Sequence, residues 1–155
     1  MNPFRYVKAL FGIGDVEAFW QARNEILKEH KKHHFAVILC KVIRKHYGAG
    51  IPVLPDINRF RTPHGFYGIF ISQRAKIGEG CVIFQQVTIG SNELQFGRAP
   101  TIGKNCLIGA GAKIIGNVHI GNNVRIGANA VVVDDVPDNC TVVMNKPRVI
   151  LRHTD

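Results

Sequence analysis

The sequence has no apolar run long enough to cross a membrane. Its longest, Phe35 to Cys40, is closed by Lys41, whereas a span needs about 20 apolar residues. Arg5 and Lys8 interrupt the N-terminal apolar stretch, which argues against a secretory leader and makes the cytoplasm the expected compartment. Cysteine is scarce: Cys40, Cys81, Cys106 and Cys140 are far apart, with no C-x-x-C pair, so zinc, redox and disulfide-scaffold readings lose their basis. Acidic residues are also few, 11 against 20 Lys+Arg in 155 residues, leaving a net charge of +9. That excess suits an anionic partner without choosing one. No helix-turn-helix, RNA-binding strand motif or zinc finger accompanies it, so nucleic acid is not expected.

What the sequence does have is a repeat. Aliphatic residues recur every six positions at Ile71, Ile77, Ile83 and Ile89, then at Ile102, Ile108, Ile114, Ile120, Ile126 and Val132. Gly follows many of them, and small or β-branched residues such as Ala75, Cys81, Val87, Cys106, Ala112 and Val124 stand two positions before. A helix repeats at three or four and a lone strand at two, so a period of six means short strands joined by tight corners. That is a parallel β-helix, with the aliphatic residue pointing inward and Gly or Asn at corners where φ is positive. Cys81 and Cys106 hold the small inward position and are read as packing atoms rather than acyl carriers. The register breaks once, between Ile89 and Ile102, where seven extra residues leave the prism as a loop near 91–101 carrying Phe96, Gly97 and Arg98.

Residues 1–48 lack the hexad and read as a helical region, while 49–155 form the β-helix and a C-terminal tail. Helices are expected over Pro3–Phe11, after Asp15 with a stripe of Val16, Phe19, Trp20, Arg23 and Leu27, and over about Phe35–Tyr47, stopping at Gly48. Together they would cap the open first coil, whose strand edges would otherwise be exposed. The segment EHKKHH at Glu29–His34 places His30, His33 and His34 at helical spacing, but among lysines it reads as a solvated face and not a metal site.

The stretch IGKNCLIGAGAKIIGNVHIGNNVRIGANAVV at Ile102–Val132 resembles the hexapeptide-repeat acyltransferases. The resemblance implies a mainly β fold, a left-handed parallel β-helix, here with a short N-terminal helical cap. The order PHGFYGIFIS, IFQQVTIG, insertion, RAPTIG, GAGAKIIGN resembles the serine O-acetyltransferase-like branch, which includes capsule and O-antigen acetyltransferases. It implies a homotrimer that binds acetyl-CoA between adjacent prisms and acetylates a hydroxyl, with no metal; the three zinc-binding His of the related gamma-class carbonic anhydrases have no counterpart. His64 matches the family's general base, since a hydroxyl attacks a thioester near neutral pH only as its proton is removed. Gly90 is the candidate oxyanion corner, and Ala110, Ala112 and Ala128 are candidates for the wall along pantetheine. Lys113, Lys146 and Arg148 are the candidates for the CoA phosphates.

For the acceptor, the resemblance points to Arg98 in the loop, with Phe66 and Tyr67 suited to a sugar face. Serine acetyltransferases have an Asp before the catalytic His and a second His after the loop Arg; Pro63 and Ala99 stand there instead. The expectation is therefore acetyl transfer to a saccharide in surface-polysaccharide synthesis. Serine O-acetylation is the alternative, and a non-catalytic assembly module is the alternative of another class, with peripheral membrane contact through the Pro3–Phe11 helix.

Overall fold

A computed structural model describes residues 16–28, 34–92 and 97–150. The expected Pro3–Phe11 helix, His30, His33 and Phe96 lie outside the described residues. Among the described residues, eleven strands of two or three residues follow two helices, α1 (Val16–Lys28) and α2 (His34–His46). They are β1 (Phe70–Ile71), β2 (Lys76–Ile77), β3 (Val82–Ile83), β4 (Thr88–Gly90), β5 (Thr101–Ile102), β6 (Leu107–Ile108), β7 (Lys113–Ile115), β8 (His119–Ile120), β9 (Arg125–Ile126), β10 (Val131–Val132) and β11 (Thr141–Val142).

The strands pair only in parallel and only with the coil above or below, giving three sheets ordered β1-β4-β7-β10, β2-β5-β8 and β3-β6-β9-β11. The chain winds as a left-handed parallel β-helix. Within each coil the order is first sheet, second sheet, third sheet, and the three edges between them are the corners. Ile77, Ile83, Ile89, Ile108, Ile114, Ile120 and Ile126 are all at most 1% exposed, each contributing about 1.5–3 kcal/mol of burial. The register Ile71↔Ile89 and Ile89↔Ile114 stacks them into rows. The residue before each inward position faces out, as at Phe70, Lys76, Leu107, His119 and Val131.

The corners explain the Gly and Asn content. Asn105, Asn123 and Asn129 have φ of 56–57°, and Gly111 has 71°, a region that costs L-residues least when they are Asn and nothing when they are Gly. Gly78 meets a stricter demand, because a Cβ there would lie 2.5 Å from the Gly103 carbonyl oxygen of the next coil.

The two helices cover the first coil. Phe19 packs edge-on against Phe66 at 5.1 Å and Trp20 against Phe60 at 5.1 Å. The Arg23 guanidinium donates to the carbonyls of Leu54 (2.7 Å) and Ile57 (2.5 Å), tying α1 to this irregular coil. Leu27 departs from the expected stripe: it is 38% exposed, and Ala18 and Ala22 are buried with Phe19, Trp20 and Arg23 instead. The α2 helix buries Ala36, Leu39, Cys40 and Ile43 as its pattern predicts, and Gly48 beyond it has φ 55°.

Candidate active site

His64 lies on the edge between the third and first sheets. Arg61 bridges to Val82, and Phe70 pairs with Thr88. Nine positions therefore separate Arg61 from Phe70 where six separate Val82 from Thr88, and the extra residues form the turn that carries His64. Thr62 Oγ1 donates to the Gly65 carbonyl inside this turn. Gly65 has φ 72°, and a Cβ on it would strike the Tyr47 ring at 2.6 Å. The turn thus sits directly on the cap. His64 is exposed, and its ring lies 5.9 Å, centroid to centroid, from Phe84 in the next coil.

Below His64 the same edge is regular. Gln86 N donates to Tyr67 O, Gly111 N to Gln85 O, and Asn129 N to Ala110 O, at 2.8–3.0 Å. The hexad repeat thereby puts His64, Ala110 and Ala128 on one edge, at successive levels along the prism. Ala128 is exposed and Ala110 half-buried, leaving a low wall. Gly109 is equally constrained, since a Cβ would come within 2.7 Å of Ala128 N. Gln85, on this edge as well, has a buried Oε1 with no hydrogen-bond partner among the described residues.

Other expected site residues separate from this group. Ala112 is fully buried in the prism, so its side chain packs the interior and does not line a surface groove. Phe66 is fully buried among Phe19, Trp20, Tyr47 and Phe60; it anchors the cap and presents no face to an acceptor. Tyr67 is 52% exposed, with its ring 4.7 Å from Tyr47 and 6.4 Å from His46. Lys113 does not project freely, because its ammonium donates to the carbonyls of Gln86 and Gly111, both at 2.9 Å. Lys146 and Arg148 are exposed beyond β11.

Gly90 and Arg98 belong to a different edge, between the first and second sheets, where the loop leaves after β4 and returns before β5. Gly90 lines a cavity of about 540 Å3 there, together with Ser72, Gln73, Arg74, Thr88 and Ser91. Sequence reading passed over both this cavity and Phe84. Arg74 occupies an ordinary corner position of the hexad, and the hexad alone does not show which corners are hollow.

The cysteines match their reading as packing atoms. Cys81 Sγ donates to Gly103 O at 3.2 Å and Cys106 Sγ to Gly121 O at 3.1 Å. The two thiols are coupled: the hydrogen bond with Cys106, and then burial, raise the Cys81 thiol, while the same hydrogen bond lowers that of Cys106. Among the described residues no three His, Cys, Asp or Glu side chains gather as a metal site, and no helix is long and apolar enough to cross a membrane.

Comparison with known proteins supplies the relationship. The family model for bacterial transferase hexapeptide (six repeats) matches residues 99–134. The serine acetyltransferase of Bacillus pumilus (strain SAFR-032) is 34% identical over 151 residues, 96% of this chain and 69% of that protein. Serine acetyltransferase isoform 3 of Entamoeba histolytica, solved with cysteine, superposes with a TM-score of 0.70 at 32% identity over 88% of this chain and 49% of the other. A serine acetyltransferase solved in complex with CoA gives a TM-score of 0.64 at 28% identity, over 81% of this chain and 51% of the other. The chain thus spans about half the length of these solved relatives. The likeness runs through the repeat, the loop and most of the helical cap, and on that basis the chain belongs to the serine acetyltransferase family of hexapeptide-repeat acyltransferases.

Proposed function

We propose that this protein is an acetyl-CoA-dependent O-acetyltransferase with His64 as its general base. The observation that carries the reading is the edge on which His64 stands in line with the low wall at Ala110 and Ala128, in a chain whose relatives are serine acetyltransferases, one of them solved with CoA. The His64 imidazole takes the acceptor's hydroxyl proton as the oxygen attacks the thioester carbonyl. The tetrahedral oxyanion then collapses, expelling the CoA thiolate, which recovers the proton. Small corners let pantetheine lie along the coils beneath His64.

His64 stands on one edge and Gly90 with Arg98 on another, so the site is completed when the edges of two copies meet, as in the homotrimer we propose. The oxyanion donors near Gly90 then come from the neighbouring copy. The reaction belongs in the cytoplasm, where acetyl-CoA is available.

L-serine is the acceptor that the relatives support, in preference to the saccharide expected from the sequence. A specific observation keeps the saccharide as the second reading: Pro63 and Ala99 replace the acidic and imidazole groups that accompany serine in the family, and Ala99 is 9% exposed. The deciding experiment is thiol release from acetyl-CoA with L-serine and with a sugar panel, in wild type and His64→Ala. Serine-dependent release lost in the variant establishes the first reading and sugar-dependent release the second. Failure to bind acetyl-CoA at all leaves an assembly module.

A further inference from the structure

The cavity between the first and second sheets has a charge pattern that the family relationship does not assign. Phe70, half exposed on β1, gives it an apolar side. Ser72, Gln73, Thr88 and Ser91 supply hydrogen-bonding groups, and the one charged side chain among the described residues of its lining is Arg74. The Arg74 backbone is fixed at the rim, because its N–H donates to Ser72 Oγ at 3.3 Å while Ser72 N–H donates to Ile89 O at 2.7 Å. The guanidinium makes no ion pair among the described residues. The described lining contains no Asp or Glu, so nothing in it complements an ammonium, and the residue before His64 is Pro63. Arg98 returns from the loop before β5 on this same edge but is not part of the described lining. At about 540 Å3, the cavity falls within the roughly 300–1,000 Å3 range of small-molecule sites.

We propose that this cavity is the acceptor site and that Arg74 selects an acceptor bearing an anionic group, a carboxylate or a phosphate, with no requirement for an ammonium. The proposal rests on the O-acetyltransferase reading and sharpens it. Arg offers a planar pair of donors that matches either anion, and such charge-assisted bonds are the strong ones. L-serine would then be accepted for its carboxylate, and a hydroxy acid, acidic sugar or hydroxyl-bearing phosphate ester would serve as well or better.

The test compares acceptors that share a three-carbon hydroxyl skeleton: glycerol, L-glycerate, glycerol 3-phosphate and L-serine, with glucose and glucuronate as a ring-sized pair. Thiol release from acetyl-CoA is followed for wild type, Arg74→Ala and Arg74→Lys. The expected result is kcat/KM for an anionic acceptor about 10-fold above its neutral counterpart, carried by KM. That ratio should collapse in Arg74→Ala and survive in part in Arg74→Lys, while the carboxylate and phosphate arms tell which anion the site prefers. An unchanged ratio in Arg74→Ala overturns the proposal, and so does L-serine far outrunning both glycerate and glycerol 3-phosphate. If no compound releases thiol, the transfer reading fails for this panel, and the cavity is judged by saturation-transfer NMR with glycerol 3-phosphate and glucuronate. Signals lost in Arg74→Ala then sustain the anion site, and absent or unchanged signals overturn it.

Discussion

Two edges of the same prism have been built differently from the same hexad. On the edge between the third and first sheets the corners at 84–87, 109–112 and 127–130 stack in register, joined by hydrogen bonds from Gln86, Gly111 and Asn129. The lengthened turn at its top carries His64. On the edge between the first and second sheets the stack is interrupted: seven residues leave as a loop after β4, and a cavity opens beside Arg74 and Gly90. In the proposed reading the regular corners take a long flexible chain such as pantetheine, and the interrupted edge takes a compact acceptor. Neither edge alone holds all three of the proposed base, thioester track and acceptor pocket. One repeat can therefore supply both halves of a site, provided that two copies bring unlike edges together.

The largest effect that would break this division is at His64. His64→Ala should lower kcat for acetyl transfer by roughly 10²–10⁴-fold, the usual worth of a positioned general base, while leaving the KM for acetyl-CoA within about 3-fold. Stopped-time thiol assays measure both. The division is sharpened by mixing: co-expressing His64→Ala with Arg98→Ala chains should recover part of the activity that each homogeneous variant lacks, because some interfaces then pair an intact His64 edge with an intact loop edge. Arg98→Ala alone should cost about 10–100-fold in kcat/KM for the acceptor. No recovery in the mixed preparation would mean that both residues act within one chain.

A smaller effect separates outward from inward positions on the His64 edge. Ala128→Leu should raise the KM for acetyl-CoA about 10-fold by raising the wall, with the thermal midpoint unchanged, because Ala128 is exposed. Ala112→Leu should do the reverse. Its side chain is fully buried, so the larger residue overpacks the prism at about 1–3 kcal/mol, and urea unfolding reports the loss. If Ala112→Leu instead raises KM in a protein of normal stability, the division between groove and core is wrong.

These pairs also show how much could be read beforehand. Period six with Gly and Asn corners dictated the prism, its inward rows and the place of the loop, because each repeat obeys the same local sterics. His64 is a candidate base only through its motif, since the hexad is absent where it stands. Phe66 and Tyr67 are neighbours in sequence with opposite fates, one buried against α1 and one exposed, and that depends on where the cap settles, a tertiary fact. Likewise Arg74 looks like any polar corner residue. Its interest comes from the cavity beside it, which the hexad does not reveal.

The smallest effect concerns Lys113, which stands on the His64 edge and was expected to meet CoA phosphates. Its ammonium is committed to the carbonyls of Gln86 and Gly111, so it ties two adjacent corners of the edge proposed to carry pantetheine. Hydrogen bonds from a charged donor contribute about 1.5–3 kcal/mol when well buried, but this one is near the surface and should contribute no more than about 1 kcal/mol. Lys113→Met keeps the aliphatic stem and removes the donor. It should lower unfolding free energy by that small amount and shift the KM for acetyl-CoA by less than about 3-fold, with no added salt dependence. A rise of 10-fold or more that fades with increasing ionic strength would instead make Lys113 a phosphate contact, and the regular edge would then bind CoA by charge as well as by its low wall.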